Sequence, residues 1–339
     1  MKRIGNLYES ISSLKNLQEA DAKAQKGKRN QYGVVLHNRS KESNLLVLQD
    51  RLISASYKTS TYDVFEIHEP KERIVYRLPF FPDRITHHAI MNVLEKIFVN
   101  TFTADTYSCI KERGIHSLLR NLKHALRDVS GTSYCLKLDI RKFYPSIDHD
   151  VLKALLRRKF KDPQLLRLLD EIIDSAPGLP IGNYLSQYLA NFYLAYFDHW
   201  LKEEKRVRYY FRYADDIVVL AHEKPILHQL LADIKGYLQE LRLEVKANHQ
   251  VFPVNARGID FIGYVFYHTH IRLRKQIKQN FARKLRKDPG NSSIASYLGW
   301  LGHCNAKHLT KKLTVTHEQL HRLRHKAEDQ GLCRRQDPG

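Results

Sequence analysis

Two aspartates, Asp215 and Asp216, stand side by side in FRYADDIVVL at 211–220, between two hydrophobic runs rich in β-forming residues. Adjacent carboxylates repel one another, although aspartate is also a common turn residue and a hairpin tip can carry two. A third, Asp139, closes the apolar run TSYCLKLDI, where a carboxylate can project from the edge of a sheet. Asp139 and Asp215 lie 76 residues apart, room enough for helices that return the chain and bring the two strand ends together. Three carboxylates at one end of a sheet need a compensating cation. An oxygen-only set suits Mg²⁺, with Mn²⁺ as a substitute, because Mg²⁺ keeps waters and takes one or two carboxylates plus substrate phosphates. Two such ions about 3.5–4 Å apart activate an attacking 3′-hydroxyl and stabilise a leaving pyrophosphate. That chemistry is nucleotidyl transfer.

The elements around these residues follow from pattern. Leu7, Ile11, Leu14 and Leu17 fall at helical spacing, and ESNLLVLQDRLIS reads as a second helix. YDVFEIHEPKERIVYRLPF reads as two short strands around a Pro-containing turn, and DRITHHAIMNVLEKIF as a helix with Ile90, Val93, Leu94 and Ile97 on its apolar face. Helices are expected in HDVLKALLRRKF and DPQLLRLLDEIID, then one long helix over NYLSQYLANFYLAYFDHWLKEE, the aspartate-tipped hairpin, and a helix in KPILHQLLADIKGYLQELR. After the β segment IDFIGYVFY the remainder reads as basic helices. Acid-bearing strands separated by helices, with a helical basic end, predict an α+β fold.

Composition narrows the class. The chain has 339 residues, 43 % of them hydrophobic, and a formal net charge of +20, an imbalance too large for an ordinary metabolic enzyme. From Ile271 to Gly339 there are sixteen Lys and Arg against five Asp and Glu, so over half of the excess lies on about a fifth of the chain. Such a surface attracts phosphate backbones in a salt-dependent way, and the interleaved aromatics of YFRY and GYVFYHTHIRLRK offer faces for bases and sugars. A solvated, charge-rich helix face is the plainer reading of the same residues. Cys109, Cys135, Cys304 and Cys333 are scattered without a C-x-x-C pair; His303 and His308 flank Cys304 without suitable ligand spacing, so reduced thiols are expected. No apolar run approaches the roughly 18 residues of a membrane span, and MKRIGNLYES lacks a secretory core. The expectation is a cytoplasmic protein with no membrane partner.

The ordered motifs resemble those of reverse transcriptases. YADD at 213–216 matches the Y-x-D-D signature of that family, and LDIRKFYPSID at 138–148 matches the segment bearing its first catalytic aspartate. The resemblance covers roughly residues 55–310 and implies a right-hand polymerase: an N-terminal helical extension (1–55), fingers (56–135), a palm with an antiparallel sheet flanked by helices (136–265), and a helical basic thumb with a tail (266–339). It implies Asp139, Asp215 and Asp216 as catalytic and metal-binding carboxylates, with the Ile140 carbonyl as a further ligand. Tyr144 would pack beneath the nucleotide sugar and exclude a 2′-hydroxyl. Lys71 and Arg73, in PKERIVYRLPF, would close over the triphosphate, Arg in a bidentate way and Lys as a point charge; Arg77 and Arg84 are further phosphate or template contacts. Phe261, Ile262, Gly263 and Tyr264 resemble the primer grip, where a glycine permits close approach of nucleic acid. SYLGWLGHCNAKHL resembles the thumb. The proton donor to pyrophosphate is left open between Lys246, His249 and neither.

One departure points to a subgroup. Where many relatives carry Q-G-x-x-x-S-P, this chain has Ile181, Gly182, Asn183, Tyr184, Leu185, Ser186 and Gln187. I-G-x-x-x-S-Q, with the KERGIHS segment, resembles the reverse transcriptases of diversity-generating retroelements, which copy a template-repeat RNA into adenine-mutagenic cDNA. Ile181, Gly182 and Gln187 would then border the nucleotide. The implied partners are template RNA, a DNA or cDNA primer, dNTPs and a small basic accessory protein that assembles as an oligomer. A retron or other group II intron-like enzyme without a mutagenic role is the alternative, followed by a non-catalytic RNA-binding scaffold, which an intact acidic set disfavours.

Overall fold

A computed structural model describes residues 3–68, 72–285 and 291–306. Helices α1 (Tyr8–Ser12), α2 (Leu14–Ala24), α3 (Tyr32–Asn38) and α4 (Lys41–Ile53) open the chain. The first pattern predicts one helix, but Ser13 leaves the helical region and its side chain accepts the Asn16 N–H as the cap of α2. Next come strands β1 (Asp63–Ile67) and β2 (Arg73–Arg77), then α5 (Ile85–Val99), β3 (Thr106–Tyr107), α6 (Ile115–Ala125) and β4 (Tyr134–Asp139). Helices α7 (Phe143–Ser146), α8 (His149–Lys159), α9 (Pro163–Ile173), α10 (Tyr184–Tyr193) and α11 (Ala195–His199) precede β5 (Tyr209–Tyr213), β6 (Asp216–Ala221) and α12 (Lys224–Glu240). The described chain ends with β7 (Gln250–Pro253), α13 (Val254–Arg257), β8 (Ile259–Phe261), β9 (Tyr264–Phe266), β10 (Ile271–Leu273), α14 (Lys275–Leu285) and α15 (Asn291–Leu301).

The mixture of helix and sheet agrees with the α+β expectation, and four further details differ. The long helix after Asn183 breaks at Leu194, which sits outside the helical region between α10 and α11. The basic end is not wholly helical: Ile271–Leu273 pairs antiparallel with Tyr264–Phe266. In the five-stranded sheet, ordered β3-β5-β6-β4-β7, the β3–β5 pairing is parallel rather than antiparallel. The buried face of α5 carries Ile90, Met91, Leu94 and Phe98, whereas Val93 and Ile97 are half-buried.

The chain divides into two compact units. The first holds residues 1–114, 138–219 and 228–249. Its core centres on Phe98, whose ring meets Phe160 edge-on at 6.0 Å and Phe192 at 5.3 Å. Helix α9 shows why the pattern folds. Leu165, Leu168, Leu169, Ile172 and Ile173 form one buried stripe, Pro163 occupies the first turn, and Asp162 caps it by accepting the Leu165 N–H at 3.2 Å. The same carboxylate accepts the N–H groups of Leu7 and Tyr8 at 2.8 and 3.0 Å, tying the first helix to the cap. Strands β1 and β2 form a separate two-stranded ladder with Ile67 opposite Arg73 and Asp63 opposite Arg77. The second unit holds residues 115–137, 220–227 and 250–339. Strands β8, β9 and β10 form its antiparallel meander, with Phe261, Tyr264 and Phe266 fully buried. Among the described residues, no helix is long and apolar enough to cross a membrane.

Candidate active site

The end of β4 and the β5–β6 turn meet through the backbone. Leu138 and Ile140 are buried and leave Asp139 half-exposed between them, as the alternation of a strand requires. The Ile140 N–H donates to the Asp215 carbonyl at 3.2 Å. On the other edge, Arg141 donates to the Glu244 carbonyl at 2.8 Å and Lys246 to the Asp139 carbonyl at 2.9 Å, bracketing an antiparallel bridge between Ile140 and Val245. Within a strand the N–H and C=O of one residue point the same way, so the Ile140 carbonyl lies on the Asp215 side. Ala214 and Asp215 form the two-residue turn between β5 and β6, with Ala214 left-handed at φ 55°. Asp215 and Asp216 are both half-buried.

Asp139 already carries a cation, because the Lys246 ammonium donates to its carboxylate. His249 points elsewhere: Nδ1 lies 2.9 Å from the Lys246 carbonyl and Nε2 lies 3.4 Å from the Lys235 ammonium. An ammonium has no acceptor, so Nε2 accepts and Nδ1 carries the proton. Among the described residues, no three His, Cys, Asp or Glu side chains converge as a metal cluster. The donor chemistry nonetheless fits a hard divalent ion, being oxygen throughout, and the ammonium on Asp139 demonstrates a carboxylate that takes positive charge.

Tyr144 follows Lys142, which is left-handed at φ 44°, and sits on the short helix α7. Its carbonyl accepts the Leu179 N–H at 2.8 Å. Burial raises the phenol's pKa, Cys109 and Asp215 add to the rise, and Arg212 and Arg73 oppose it. Asp215 and Arg73 are therefore each within electrostatic reach of Tyr144. Arg73 is exposed at the start of β2. Arg77 is engaged, paired with Asp63 and lying 5.6 Å over the Phe65 ring. Arg84 is half-buried, and burial followed by Arg77 lowers its pKa. Lys71 lies outside the described residues.

The I-G-x-x-x-S-Q segment docks on β2. The Ile181 carbonyl accepts the Tyr76 N–H at 2.9 Å, and Gly182 is at φ 120° with space for a β-carbon only 2.6 Å from the Tyr76 carbonyl. Glycine is required there by both conformation and distance. Asn183 donates to the Tyr62 hydroxyl at 2.9 Å, and that hydroxyl meets Ser175 at 2.8 Å. Gln187 is exposed on α10.

Phe261 to Tyr264, in the second unit, form a tight hairpin in which Ile262 and Gly263 both have positive φ, 44° and 89°, the geometry that suits a two-residue turn. A β-carbon at Gly263 would meet Trp300 at 2.5 Å and Ile277 at 2.9 Å. The close approach expected of nucleic acid at this glycine is thus made by the protein itself. The Tyr264 hydroxyl donates to the Trp300 carbonyl at 3.0 Å. Among the described residues Cys109, Cys135 and Cys304 are not joined by a disulfide, and Cys333 lies outside the described residues.

Sequence reasoning missed one group. Arg212 and Asp198 are a fully buried ion pair with a closest distance of 2.5 Å. Tyr210 and Thr106 donate to the same carboxylate at 2.6 and 2.8 Å. Burial and then Asp198 raise the Tyr210 phenol well above its ordinary range; burial opposes the charge on Arg212, but Asp198 outweighs it. The available signal was the spacing of Tyr210 and Arg212, two apart and hence on one strand face, opposite a lone acid in the apolar run LANFYLAYFDHWL.

Residues 68–266 match the family described as reverse transcriptase (RNA-dependent DNA polymerase). The chain belongs to the reverse transcriptases. The enzyme is 23 % identical over 269 residues to the protein YkfC of Escherichia coli strain K12, covering 65 % of this chain and 70 % of that one. It is 27 % identical over 230 residues to the retron Ec73 reverse transcriptase of Escherichia coli, covering 60 % and 71 % respectively. With the group II intron-encoded protein LtrA of Lactococcus lactis it shares 27 % identity over 139 residues, 38 % of this reverse transcriptase and 23 % of that longer protein.

Proposed function

We propose that this RNA-directed DNA polymerase performs nucleotidyl transfer at Asp139, Asp215 and Asp216. The observation that carries the reading is the Ile140 N–H donated to the Asp215 carbonyl at 3.2 Å, which joins the strand end bearing the first aspartate to the turn bearing the second. Divalent ions, when bound, would activate the primer 3′-hydroxyl and neutralise the triphosphate. Asp139, Asp215, Asp216 and the Ile140 carbonyl would hold them, and Lys246 would leave Asp139 as they arrive. Arg73, joined by Lys71, grips the triphosphate, and the Tyr144 ring excludes a ribonucleotide's 2′-hydroxyl. Phe261 to Tyr264 steady the primer, and the basic carboxy-terminal region follows the template–primer backbone. In this reading β1 and β2 belong to the fingers, the five-stranded sheet to the palm and the basic end to the thumb.

The test is Asp215→Ala and Asp216→Ala. Each abolishes Mg²⁺-dependent dNTP incorporation on an RNA template while RNA binding survives; undiminished synthesis overturns the assignment.

The finer reading is a diversity-generating retroelement enzyme, supported by I-G-x-x-x-S-Q at 181–187. Isoleucine in place of an amide side chain removes hydrogen-bonding capacity beside the nascent pair and loosens selection opposite template adenines. A small basic accessory oligomer would be its partner. The match to the retron enzyme over 71 % of that protein favours a second reading, a group II intron-like enzyme without mutagenic role. Sequencing the cDNA separates them: errors concentrated at template adenines, and reduced in Ile181→Gln, support the first, and an even spectrum supports the second.

A further inference from the structure

The reading above leaves Arg212 and Asp198 without a task, although a buried ion pair is a poor device for stability alone, since well-packed apolar residues often do as well or better. Arg212 uses all five of its N–H donors. Nε donates to Asp198 Oδ1 at 2.8 Å, and Nη2 to Asp198 Oδ2 at 2.5 Å and to the Asn191 carbonyl at 3.4 Å. Nη1 donates to Asn191 Oδ1 at 3.1 Å and to the Ala214 carbonyl at 3.0 Å. The last contact leaves the buried cluster for the turn. Ala214 is left-handed, a region that a residue with a β-carbon enters only when something holds it there, and its carbonyl belongs to the peptide that leads directly into Asp215.

The anchor is fixed from three further sides. Tyr210 and Thr106 occupy the remaining lone pairs of Asp198, and the Arg212 N–H donates to the Asp105 carbonyl at 3.0 Å, so strand β5 cannot slide. Beyond the turn, the Asp215 carbonyl accepts the Ile140 N–H. A continuous path runs from Asp198 through Arg212 and the Ala214 peptide to Asp215 and the strand end that bears Asp139. We propose that Arg212, clamped by Asp198, is a positioning residue: it fixes the Ala214–Asp215 peptide and thereby the direction in which Asp215 presents its carboxylate. The inference rests on Asp215 taking part in the transfer. Lysine cannot substitute, because one ammonium lacks the planar fork that reaches Asp198 and Ala214 together.

Two variants test it, with thermal unfolding followed alongside steady-state incorporation on an RNA template–primer. In Arg212→Lys, kcat falls at least tenfold, KM for dNTP changes less than threefold, template–primer affinity is unchanged, and the Mg²⁺ concentration giving half-maximal rate rises severalfold. In the charge-free pair Arg212→Met with Asp198→Leu, which leaves neither buried charge unpaired, the protein stays folded while kcat and the Mg²⁺ requirement stay impaired. Parental turnover and Mg²⁺ dependence in the charge-free pair would overturn the proposal, as would failure of both variants to fold, since either makes the pair a stability element. Asp215→Ala separates this from the underlying assignment: if it remains active, the transfer reading itself falls, and the positioning role with it; if it is dead while the Arg212 variants are fully active, only the positioning role falls.

Discussion

Lys246 holds its ammonium on the carboxylate of Asp139, and its own backbone N–H on the Asp139 carbonyl. The residue that ends β4 is thus gripped twice by the segment that runs beside it, once through the main chain and once through charge. The side-chain half of that grip can be withdrawn without disturbing the main-chain half, which leaves Asp139 free to take another cation.

Removing the ammonium should therefore ease metal entry. Both partners are about a third exposed, Lys246 at 34 % and Asp139 at 29 %, and ion pairs of that kind are worth about 1 kcal/mol or less. In Lys246→Met the affinity for Mn²⁺ in the absence of nucleic acid, read by electron paramagnetic resonance, should rise by up to about fivefold. A lower affinity would mean that Lys246 assists the ion rather than competing with it.

Gly182 tests the docking of the 181–187 segment on β2. An alanine there meets the Tyr76 carbonyl at 2.6 Å in a backbone conformation, φ 120°, that costs about 1–3 kcal/mol for a residue with a β-carbon. Relief comes from breaking the Tyr76-to-Ile181 hydrogen bond and shifting β2, the strand that starts at Arg73. Gly182→Ala should raise KM for dNTP roughly threefold to tenfold, in line with a loss of about 1 kcal/mol, with template–primer affinity unchanged. An unchanged KM would detach this loop from nucleotide binding.

Acid should weaken the first unit through His87 and His88 on α5. Burial, with His88 and Arg84 adding to it, lowers the pKa of His87 from 6.5 to about 3; burial, with Lys28, Arg84 and Lys23, lowers that of His88 to about 4. Between those values and 6.5 the unfolded chain binds more protons than the folded one, so stability rises with pH and is lost as pH falls through this window. Unfolding midpoints measured from pH 7.5 to pH 4 should fall progressively, and His87→Leu should flatten the slope below pH 6.5. An equal slope in the variant would show that His87 is not the titrating group.

Much of this site can be read from sequence because its signals are local. The YADD turn and the β1–β2 ladder announce themselves through alternation and turn residues, and Asp139 through its place at the end of an apolar run. The break at Leu194 has no glycine or proline to mark it. Strand β10 is three residues long with Arg272 exposed at its centre, so it reads as one more basic stretch. Val93 and Ile97 fit the helical period of α5 as well as Met91 and Phe98 do, and only the packing decides which face turns inward. Neither the contact of Lys246 with Asp139 nor the partners of Arg212 could be reached by spacing, because each depends on contacts between segments distant along the chain.

Gly178 shares a wall with Tyr144. It is left-handed at φ 59°, and a β-carbon there would stand 2.5 Å from the Tyr144 carbonyl and 2.7 Å from that of Pro145. Any replacement at 178 must move the main chain at 144, whereas the ring at 144 can be exchanged with the main chain left in place. For a lineage accumulating mutations, this corner is open to innovation on one side and closed on the other: under the role proposed for Tyr144, new sugar preferences would arise by changing the ring, whereas a side chain at 178 would displace the peptide that carries it.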